Sequence, residues 1–221
     1  MPNIGIAITT TSARPNHKAY WENIALFSPL CVGMKIKFVH DVKGVAAAKN
    51  ECLRELKDCD YVFLFDDDCF PIKEGWAQMF IDAHNVTGCH HFSYLHDYLH
   101  IRKVNQLDNG VSYYNNSAGC MMFITKDVIE RVGAFNEAFG LYGYEHVEYS
   151  VRCKLAGLAP HHNVCPDDAP DYIYSMDLDS YADFDFVHVP TLSVQEMTEA
   201  HKVSVVKFTE SIENPVIYLP L

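Results

Sequence analysis

The stretch Tyr61-Val62-Phe63-Leu64-Phe65-Asp66-Asp67-Asp68 decides the fold class, because five apolar or aromatic residues run directly into three carboxylates. A short, unbroken run of β-favouring residues predicts a fully buried strand, although a buried helical segment has the same pattern. In open α/β sheets, ligands bind outside the carboxyl ends of the strands, where these carboxylates would lie. The three acidic side chains repel one another unless a cation lies among them. The alternative is a strand that ends in a solvated acidic turn.

The residues before this stretch alternate between strand-like and helix-like segments. The pattern predicts strands at 4–10 and 36–40 and helices at 17–27 and 44–56. Alternation at such short spacing favours a parallel sheet with crossover helices. The length of 221 residues suits one α/β domain with a substantial core.

The second half of the chain has a less regular pattern. It predicts a strand at 120–124, helices at 74–83, 126–132, 145–157 and 192–212, and loops at 102–110 and 159–181, whereas 86–95 is ambiguous. In the helix at 145–157, the apolar side chains share one face, at Val147, Val151, Leu155 and Leu158. Glu145, Glu148 and Arg152 share the other face, which we expect to point away from the core.

Composition and charge argue against several classes of protein, although a local basic groove would still be compatible with them. A net charge of −12 disfavours a nucleic-acid surface that works by neutralising phosphates. The eight cysteines contain no CxxC pair and are interpreted as reduced core thiols of a cytoplasmic protein. No stretch approaches 18 apolar residues, and the first residues do not combine a basic segment with a long apolar core. We therefore expect no targeting segment and no membrane span.

Five segments occur in an order that resembles the GT-A glycosyltransferases, especially the family-2-like enzymes that use nucleotide-diphosphate sugars. They are Ile8-Thr9-Thr10-Thr11-Ser12-Ala13-Arg14-Pro15, Gly44-Val45-Ala46-Ala47-Ala48-Lys49-Asn50, the Asp66–Asp68 triplet in place of Asp-x-Asp, Gly133-Ala134-Phe135-Asn136-Glu137-Ala138-Phe139, and Gly143-Tyr144-Glu145-His146-Val147-Glu148-Tyr149-Ser150-Val151-Arg152. The last segment is also similar to motifs of polypeptide N-acetylgalactosaminyltransferases and β-1,4-galactosyltransferases. The resemblance covers roughly residues 4 to 157 and departs from the family at Lys49, Asn136 and His146.

The resemblance implies a single α/β domain of the GT-A type over 1–221. Residues 1–110 would form the nucleotide-sugar half, and 111–221 the acceptor half with the C-terminal segment. The implied activity moves a hexosyl or N-acetylhexosaminyl group from a nucleotide-diphosphate sugar, with UDP as the expected nucleotide, to a hydroxyl acceptor. Mn²⁺ or Mg²⁺ would serve as the cofactor, because a bound cation stabilises the leaving diphosphate.

The resemblance also assigns ligands for the cation and the donor. Asp68 would bind the cation most directly, and Asp66 would reach the metal or the ribose. A histidine would complete the site, with His188 as the first choice and His161 and His162 as the alternatives. The remaining donor residues would be Thr9, Thr10, Thr11, Arg14, Asp41, Lys49, Asn50 and Asp67. Asp67 has a smaller role because it points to the opposite side of an extended strand, and Asp41 could equally be a turn residue.

Three residues are candidates for the base that removes the acceptor proton. His146 stands where inverting relatives carry an aspartate, and an imidazole can act as a base near neutral pH. Glu145 would bind hydroxyl groups or act as the base itself, and Glu148 is the other alternative. The competing interpretation is a helix whose first turn carries acidic residues because of its dipole, with a Glu148–Arg152 pair at i,i+4.

Two rival functions remain open from the sequence. Sugar-1-phosphate nucleotidyl transfer uses a similar sheet and metal. However, the loop after the first predicted strand, residues 11–16 (the first loop), lacks the glycine-rich basic pattern of those enzymes. A catalytically silent binding domain is favoured by the replacement of the expected aspartate by His146. The histidines at positions 84, 90, 91, 96 and 100 are interpreted as acceptor contacts or ordinary surface residues, because no third ligand for zinc accompanies the pair His96 and His100.

Overall fold

The structure is a computed structural model that describes residues 2–97, 100–107, 109–176 and 192–221. In this part of the chain there are ten strands and six α-helices. The strands are β1 Ile4–Thr10, β2 Lys35–His40, β3 Tyr61–Asp66, β4 Cys69–Pro71, β5 His91–Ser93, β6 Lys103–Leu107, β7 Val111–Tyr114, β8 Met121–Thr125, β9 Val164–Pro166 and β10 Ile173–Ser175. The helices are α1 Pro15–Phe27, α2 Val45–Leu56, α3 Trp76–Thr87, α4 Lys126–Arg131, α5 Glu145–Leu155 and α6 Val194–Glu213.

The central sheet has the strand order β2-β1-β3-β8-β5. Strand β1 pairs in parallel with β2 and β3, whereas β8 is antiparallel to both β3 and β5. Four of the five strands therefore run in one direction, and helices cover both faces. The predicted α/β class with a mostly parallel, helix-flanked sheet is confirmed.

Both faces of the central strands are buried, which explains the continuous apolar run in β3. Phe63 and Phe65 pack with Trp76 and Phe80 in one core layer, whereas Leu64 belongs to the layer that lies against α2 and α5. A strand that is buried on both faces has no polar face and so loses the alternation of an amphipathic strand. The same burial on both sides fixes the register of β3 beside β1.

Two predicted loops contain strands. The polar segment at 102–110 includes β6, which forms an exposed edge strand beside β7 in a three-stranded sheet with β9. Polar residues are common on such edges because they oppose pairing with other chains. The segment at 159–181 includes β9 and β10, and β10 pairs with β4 just after the acidic triplet. Strands of three residues are too short for a period to show in the sequence.

The faces of α5 differ from the prediction. Glu145, Glu148 and Arg152 are buried, with relative exposures of 4%, 5% and 2%, whereas Leu155 is 48% exposed. The expectation that the charged face points away from the core is therefore wrong. Burial of charged groups requires partners inside the protein.

Arg152 has such partners: Glu148 and three backbone carbonyls accept hydrogen bonds from its guanidinium. Its guanidinium donates to Glu148 Oε1 at 2.8 Å, to the carbonyls of Val132 and Ala134 at 2.9 and 2.7 Å, and to that of Ile217 at 3.2 Å. These bonds join α5 to the turn after α4 and to the C-terminal residues. Helical periodicity alone carries no information about such carbonyl acceptors.

Two predictions from composition can be compared with the structure. All eight cysteines are buried and free, which agrees with the interpretation as core thiols and not as a disulfide framework. Within the described residues, none of the helices has the length and apolar character needed to cross a membrane.

His91 is a fully buried histidine that makes stability depend on pH. Its Nδ1 donates to the Phe123 carbonyl at 3.0 Å, and its Nε2 lies 2.8 Å from Ser150 Oγ. Burial lowers the pKa of His91 from 6.5 to about 4, although the bond to Phe123 opposes this. Between these values the unfolded chain binds more protons than the folded one, so acid destabilises the fold.

We expect the free energy of unfolding to fall by roughly 3 kcal/mol because of His91 as the pH drops from 6.5 to 4. The substitution His91→Gln should flatten this decline, whereas His100→Gln at an exposed position should preserve it. Urea unfolding at several pH values measures both effects. Parallel pH profiles for the His91 variant and the wild type would contradict the assignment.

Candidate functional site

The ends of β1, β2 and β3 meet at one edge of the sheet, where a cavity of about 580 Å³ opens. The pairing of Thr9 with Asp66 places the first loop beside the acidic triplet. The residues that line the cavity are Thr9, Thr10, Thr11, Arg14, Asp41, Val42, Lys43, Gly44, Val45, Ala48, Asp66, Asp67, Asp68, Leu141, Tyr142, Leu192 and Met197. Eight of the residues that the sequence assigned to the donor or metal site therefore lie on one cavity.

Asp66 presents one carboxylate oxygen to the protein and the other to the cavity. Its Oδ1 accepts a hydrogen bond from Thr9 Oγ1 at 3.0 Å and lies 3.3 Å from Lys49 Nζ. No described residue donates to its Oδ2, and its side chain is 32% exposed. Burial and the nearby carboxylates of Glu145 and Asp67 raise the pKa of Asp66, while Lys49 and Thr9 oppose the increase.

Asp67 anchors the first loop and helix α1. Its Oδ1 accepts from Arg14 Nη1 at 2.6 Å and lies 3.6 Å from His17 Nδ1, and its Oδ2 accepts from Thr10 Oγ1 at 2.7 Å. Burial raises the pKa of Asp67, but His17, Arg14 and Thr10 together hold it below its ordinary value. Asp67 follows the last residue of β3, so it is not held to the far side of an extended strand as predicted.

Asp68 shares its charge with the same arginine. Its Oδ2 accepts from Arg14 Nη1 at 3.0 Å, and the residue is 4% exposed. Arg14 and Lys49 therefore place two protein cations against the three carboxylates of the triplet. The positive charge that the acidic triplet was expected to need is therefore supplied, in part, by Arg14 and Lys49.

Carboxylate oxygens are ligands that hard divalent cations prefer, and a substrate can supply the remaining ligands of such a cation. Mg²⁺ in nucleotide sites is typically held by one or two carboxylates, with phosphate oxygens and water as the other ligands. Asp66 and Asp68 are carboxylates that line the cavity. Among the described residues, no group of three or more His, Cys, Asp or Glu side chains forms a metal site. His188 lies outside the described residues. His161 and His162 stack on each other at 4.2 Å beside Tyr113 and do not line the cavity.

Asp41 shapes the first loop. It has a φ of 55°, and its Oδ1 accepts from Thr11 Oγ1 at 3.0 Å and from the Ser12 amide at 2.8 Å. Its Oδ2 accepts from Ser12 Oγ. These bonds from Ser12 and Thr11 lower the pKa of Asp41. Asp41 therefore acts as a turn residue while also lining the cavity.

Lys49 lies beneath the cavity. It is completely buried, and its Nζ donates to the Gly119 carbonyl at 2.9 Å beside Asp66. Burial lowers the pKa of Lys49, but the charges of Asp66 and Glu145 raise it above its ordinary value in sum. The ammonium group thus stays charged and links the triplet to the start of α5.

Asn50 does not line the cavity. Its Nδ2 donates to the Phe135 carbonyl at 3.0 Å and to Glu137 Oε1 at 2.8 Å, and its Oδ1 accepts from the Phe135 amide at 2.7 Å. The side chain fastens α2 to the segment after α4. The expectation that Asn50 contacts the diphosphate or the base is therefore not met, because its amide is used inside the protein.

Glu145 and His146 form a contact at the start of α5. His146 Nδ1 lies 3.2 Å from Glu145 Oε1. Glu145 Oε2 is buried and has no hydrogen-bond partner among the residues that the structure describes. Burial raises the pKa of Glu145, but His146 and Lys49 lower it to about 2 in sum. The residue before them, Tyr144, has a φ of 66°, a strained conformation for a residue other than glycine.

Gly119 connects Lys49 to His146. A Cβ atom at this position would lie 2.8 Å from His146 Cγ, so only glycine leaves room for the imidazole. The carbonyl of the same glycine accepts the Lys49 bond. No local sequence pattern indicates the contact of this glycine with His146.

Glu148 belongs to the core of α5. Its Oε1 accepts from Arg152 Nε at 2.8 Å, and burial raises its pKa although Arg152 opposes this. Glu148 does not line the cavity. The alternative in which Glu148 is the base is therefore not supported, because its carboxylate is engaged in the structural pair.

The sequence missed the apolar wall of the cavity. This wall consists of Val42, Val45, Leu141, Tyr142, Leu192 and Met197. Its members come from the β2–α2 connection, the turn before α5, and the segment that enters and begins α6. They are separated along the chain and share no local pattern, so no sequence signal grouped them.

Comparison with known proteins finds a relative whose name gives it as a glycosyltransferase. The chain is 32% identical over 124 residues to an uncharacterized glycosyltransferase, R363, of Acanthamoeba polyphaga mimivirus. The match covers 53% of this chain and 48% of the relative, so the chain spans about half the length of that protein. No protein-family model matches the chain.

Similar solved structures include nucleotide-sugar enzymes. A mannosyltransferase from Pyrobaculum calidifontis, solved with GDP-Man and Mn²⁺, has a TM-score of 0.44 and 12% identity, and covers 67% of this chain and 52% of its own. An apo UDP-glucose pyrophosphorylase has a TM-score of 0.40 and 12% identity, with coverages of 93% and 81%. Protein A197 from STIV has a TM-score of 0.37 and 16% identity, with coverages of 58% and 67%. All three scores are below 0.5, and this likeness does not define a function.

Proposed function

We propose that the protein is a glycosyltransferase of the GT-A type. It would transfer a hexosyl or N-acetylhexosaminyl group from a nucleotide-diphosphate sugar, with UDP as the nucleotide, to a hydroxyl acceptor. The observation that carries the proposal is the convergence of the first loop, Asp41 and the Asp66–Asp68 triplet on one cavity. A volume of about 580 Å³ lies within the range of small-molecule and cofactor sites. The relative from mimivirus supports transfer of a glycosyl group.

The donor nucleotide would lie along the first loop and the start of α2. Thr9, Thr10 and Thr11 donate their hydroxyl protons to carboxylates, so their oxygens would accept hydrogen bonds from the ribose and base. Arg14 and Lys43 offer positive charge for the diphosphate. Helix α2 begins at the cavity, and its N-cap Gly44 provides no side-chain cap for the first amides. Free amides at a helix N-terminus bind phosphate groups, so this end would contribute to the same subsite.

Asp66 and Asp68 would hold Mn²⁺ or Mg²⁺ together with donor phosphate oxygens. When bound, such a cation supplies Lewis-acid stabilisation of the leaving diphosphate. Asp67 would keep the first loop in place, since its carboxylate accepts a hydrogen bond from Thr10. His188 remains the proposed third protein ligand.

The acceptor hydroxyl would attack the anomeric carbon as the bond from that carbon to the diphosphate oxygen breaks. We assign the hydroxyl proton to His146. A carboxylate oxygen only accepts hydrogen bonds, so the contact with Glu145 places the proton of a neutral imidazole on Nδ1 and leaves Nε2 as the base. Glu145 would position this ring and fix its tautomer, as a carboxylate does in other histidine-dependent enzymes.

The two parts of the chain would then have separate roles. Residues 1–110 supply the first loop, Asp41 and the triplet. Residues 111–221 supply Gly119, Glu145, His146 and the part of the apolar wall on α6. The acceptor would approach from the second half.

The test is turnover of a donor panel by the purified chain. We expect release of a nucleoside diphosphate from UDP-glucose, UDP-N-acetylglucosamine or GDP-mannose in the presence of Mn²⁺, and loss of this activity with EDTA. Chromatography identifies the products. Formation of pyrophosphate from a sugar-1-phosphate and a nucleoside triphosphate would favour a nucleotidyltransferase instead. If neither assay shows turnover, the proposal that the protein is a transferase is contradicted, and a binding domain without catalytic activity remains as the interpretation.

A further inference from the structure

We propose that Arg14 is an internal counter-cation that holds Asp68 when no donor is bound and turns to the donor diphosphate when the donor binds. A divalent cation would then bind tightly only together with a nucleotide diphosphate. This inference rests on the proposed function, because it concerns the same cavity. It assigns Arg14 control over the order in which the ligands bind.

The geometry places Arg14 where it competes with a cation for Asp68. A single nitrogen, Nη1, lies 2.6 Å from Asp67 Oδ1 and 3.0 Å from Asp68 Oδ2. A divalent ion on Asp68 Oδ2 would therefore meet a like charge at short range, which is unfavourable in a partly buried site. Loss of a proton cannot relieve this repulsion: burial lowers the pKa of Arg14, but Asp67 and Asp68 raise it above its ordinary value in sum.

Lys49, the other cation of the site, is placed differently. It is completely buried, bonds to the Gly119 carbonyl and faces Asp66, and it does not line the cavity. Arg14 lines the cavity, is 12% exposed in its side chain, and lies in the loop directly before α1. Arg14 can therefore move from a carboxylate to a phosphate within the cavity, whereas Lys49 would first have to leave its buried position.

The anchor of the first loop survives the proposed exchange. Asp67 has Thr10 and His17 as neighbours besides Arg14, at 2.7 and 3.6 Å. Its carboxylate therefore stays engaged when the guanidinium turns away. A planar guanidinium also matches two phosphate oxygens at once, so two of its nitrogens would bind the diphosphate, whereas the single nitrogen Nη1 serves both Asp67 and Asp68.

The experiment measures Mn²⁺ binding directly, by electron paramagnetic resonance of the free ion, with and without UDP or GDP. In the wild type we expect either nucleotide to tighten Mn²⁺ binding by at least about tenfold. The Arg14→Met variant should bind Mn²⁺ alone about tenfold more tightly than the wild type and gain less from the nucleotide. Arg14→Lys, which keeps a charge, should behave more like the wild type.

Lys18→Met is the matched control, because Lys18 lies in the first turn of α1, just after Arg14, but pairs with Glu22 at 3.6 Å and has a side chain that is 40% exposed. It should leave Mn²⁺ binding unchanged. If Arg14→Met fails to fold by circular dichroism, Arg14→Gln keeps a donor to Asp67 and replaces it. Equal Mn²⁺ affinity of Arg14→Met, or of Arg14→Gln in its place, and the wild type would overturn this inference but not the proposed function. If the wild type turns over the donor but does not bind Mn²⁺, this inference is overturned and a metal-independent transferase remains. If the wild type neither binds Mn²⁺ nor turns over the donor, the proposed function is overturned as well.

Discussion

Replacement of Asp68 by asparagine should lower the turnover of the nucleotide sugar by roughly 10³-fold. Asparagine has nearly the same shape and keeps an oxygen that can accept from Arg14, so the fold should remain intact. It lacks the negative charge that a divalent cation needs. Stabilisation of the leaving diphosphate is worth several kcal/mol, and each 1.36 kcal/mol changes the rate about tenfold. The release of nucleoside diphosphate at saturating donor measures the effect.

Asp58→Asn is the matched control for this substitution. Asp58 is an exposed carboxylate that lies before β3, at the end of the strand opposite to the triplet. The same chemical change there should leave turnover within about twofold and the melting temperature unchanged, as at most exposed positions. Similar turnover in the Asp68 variant and the wild type would exclude Asp68 as a ligand of the cation.

The part of the fold around β3 could be predicted because its pattern has a direct physical cause. A strand that is buried on both faces must be apolar throughout, and Tyr61–Asp66 is apolar up to its last residue. Helix α2 was predicted for a related reason, since its small and apolar residues recur at the helical period. These features depend on short segments and on one environment, the interior of the sheet.

The polar core of α5 could not be predicted in this way. Arg152 is 2% exposed because three backbone carbonyls and Glu148 accept its hydrogen bonds. Those carbonyls belong to segments that are distant in sequence. A pattern of residue types ranks arginine as a surface residue, and only the tertiary structure shows that its donors are satisfied.

The candidate site shows the same division. Thr9, Asp41 and Asp66 were predicted to lie together, and they line one cavity, because each lies at or next to the carboxyl end of a strand of the parallel sheet and such ends meet at one edge. Asn50 was grouped with them by its position in a motif, yet its amide is bonded to Phe135 and Glu137. A motif gives the residue type and its place on a helix, but the partner of the side chain depends on what packs against that helix.

If His146 is the base, its replacement should cause a large loss of turnover. His146→Gln should lower turnover by about 10²- to 10⁴-fold, which is the usual contribution of a positioned base. Binding of UDP with Mn²⁺ should change little, because His146 does not line the donor cavity. Calorimetric titration with UDP and Mn²⁺ separates binding from turnover. A loss of nucleotide binding in the His146 variant would place this residue in the donor site instead.

Glu145→Gln distinguishes the positioning role of Glu145 from a role as the base. The glutamine side chain keeps a carbonyl oxygen that can accept from His146 Nδ1, so a positioning role predicts a loss of only about tenfold, whereas removal of the base itself predicts 10²-fold or more. Glu148→Gln serves as the comparison, because its carboxylate pairs with Arg152 in the core at 2.8 Å. It should lower the midpoint of urea unfolding with little effect on turnover per folded molecule. If Glu145→Gln costs as much as His146→Gln and the double variant costs no more than either, the two side chains act as one unit, and the proton cannot be assigned to the imidazole alone.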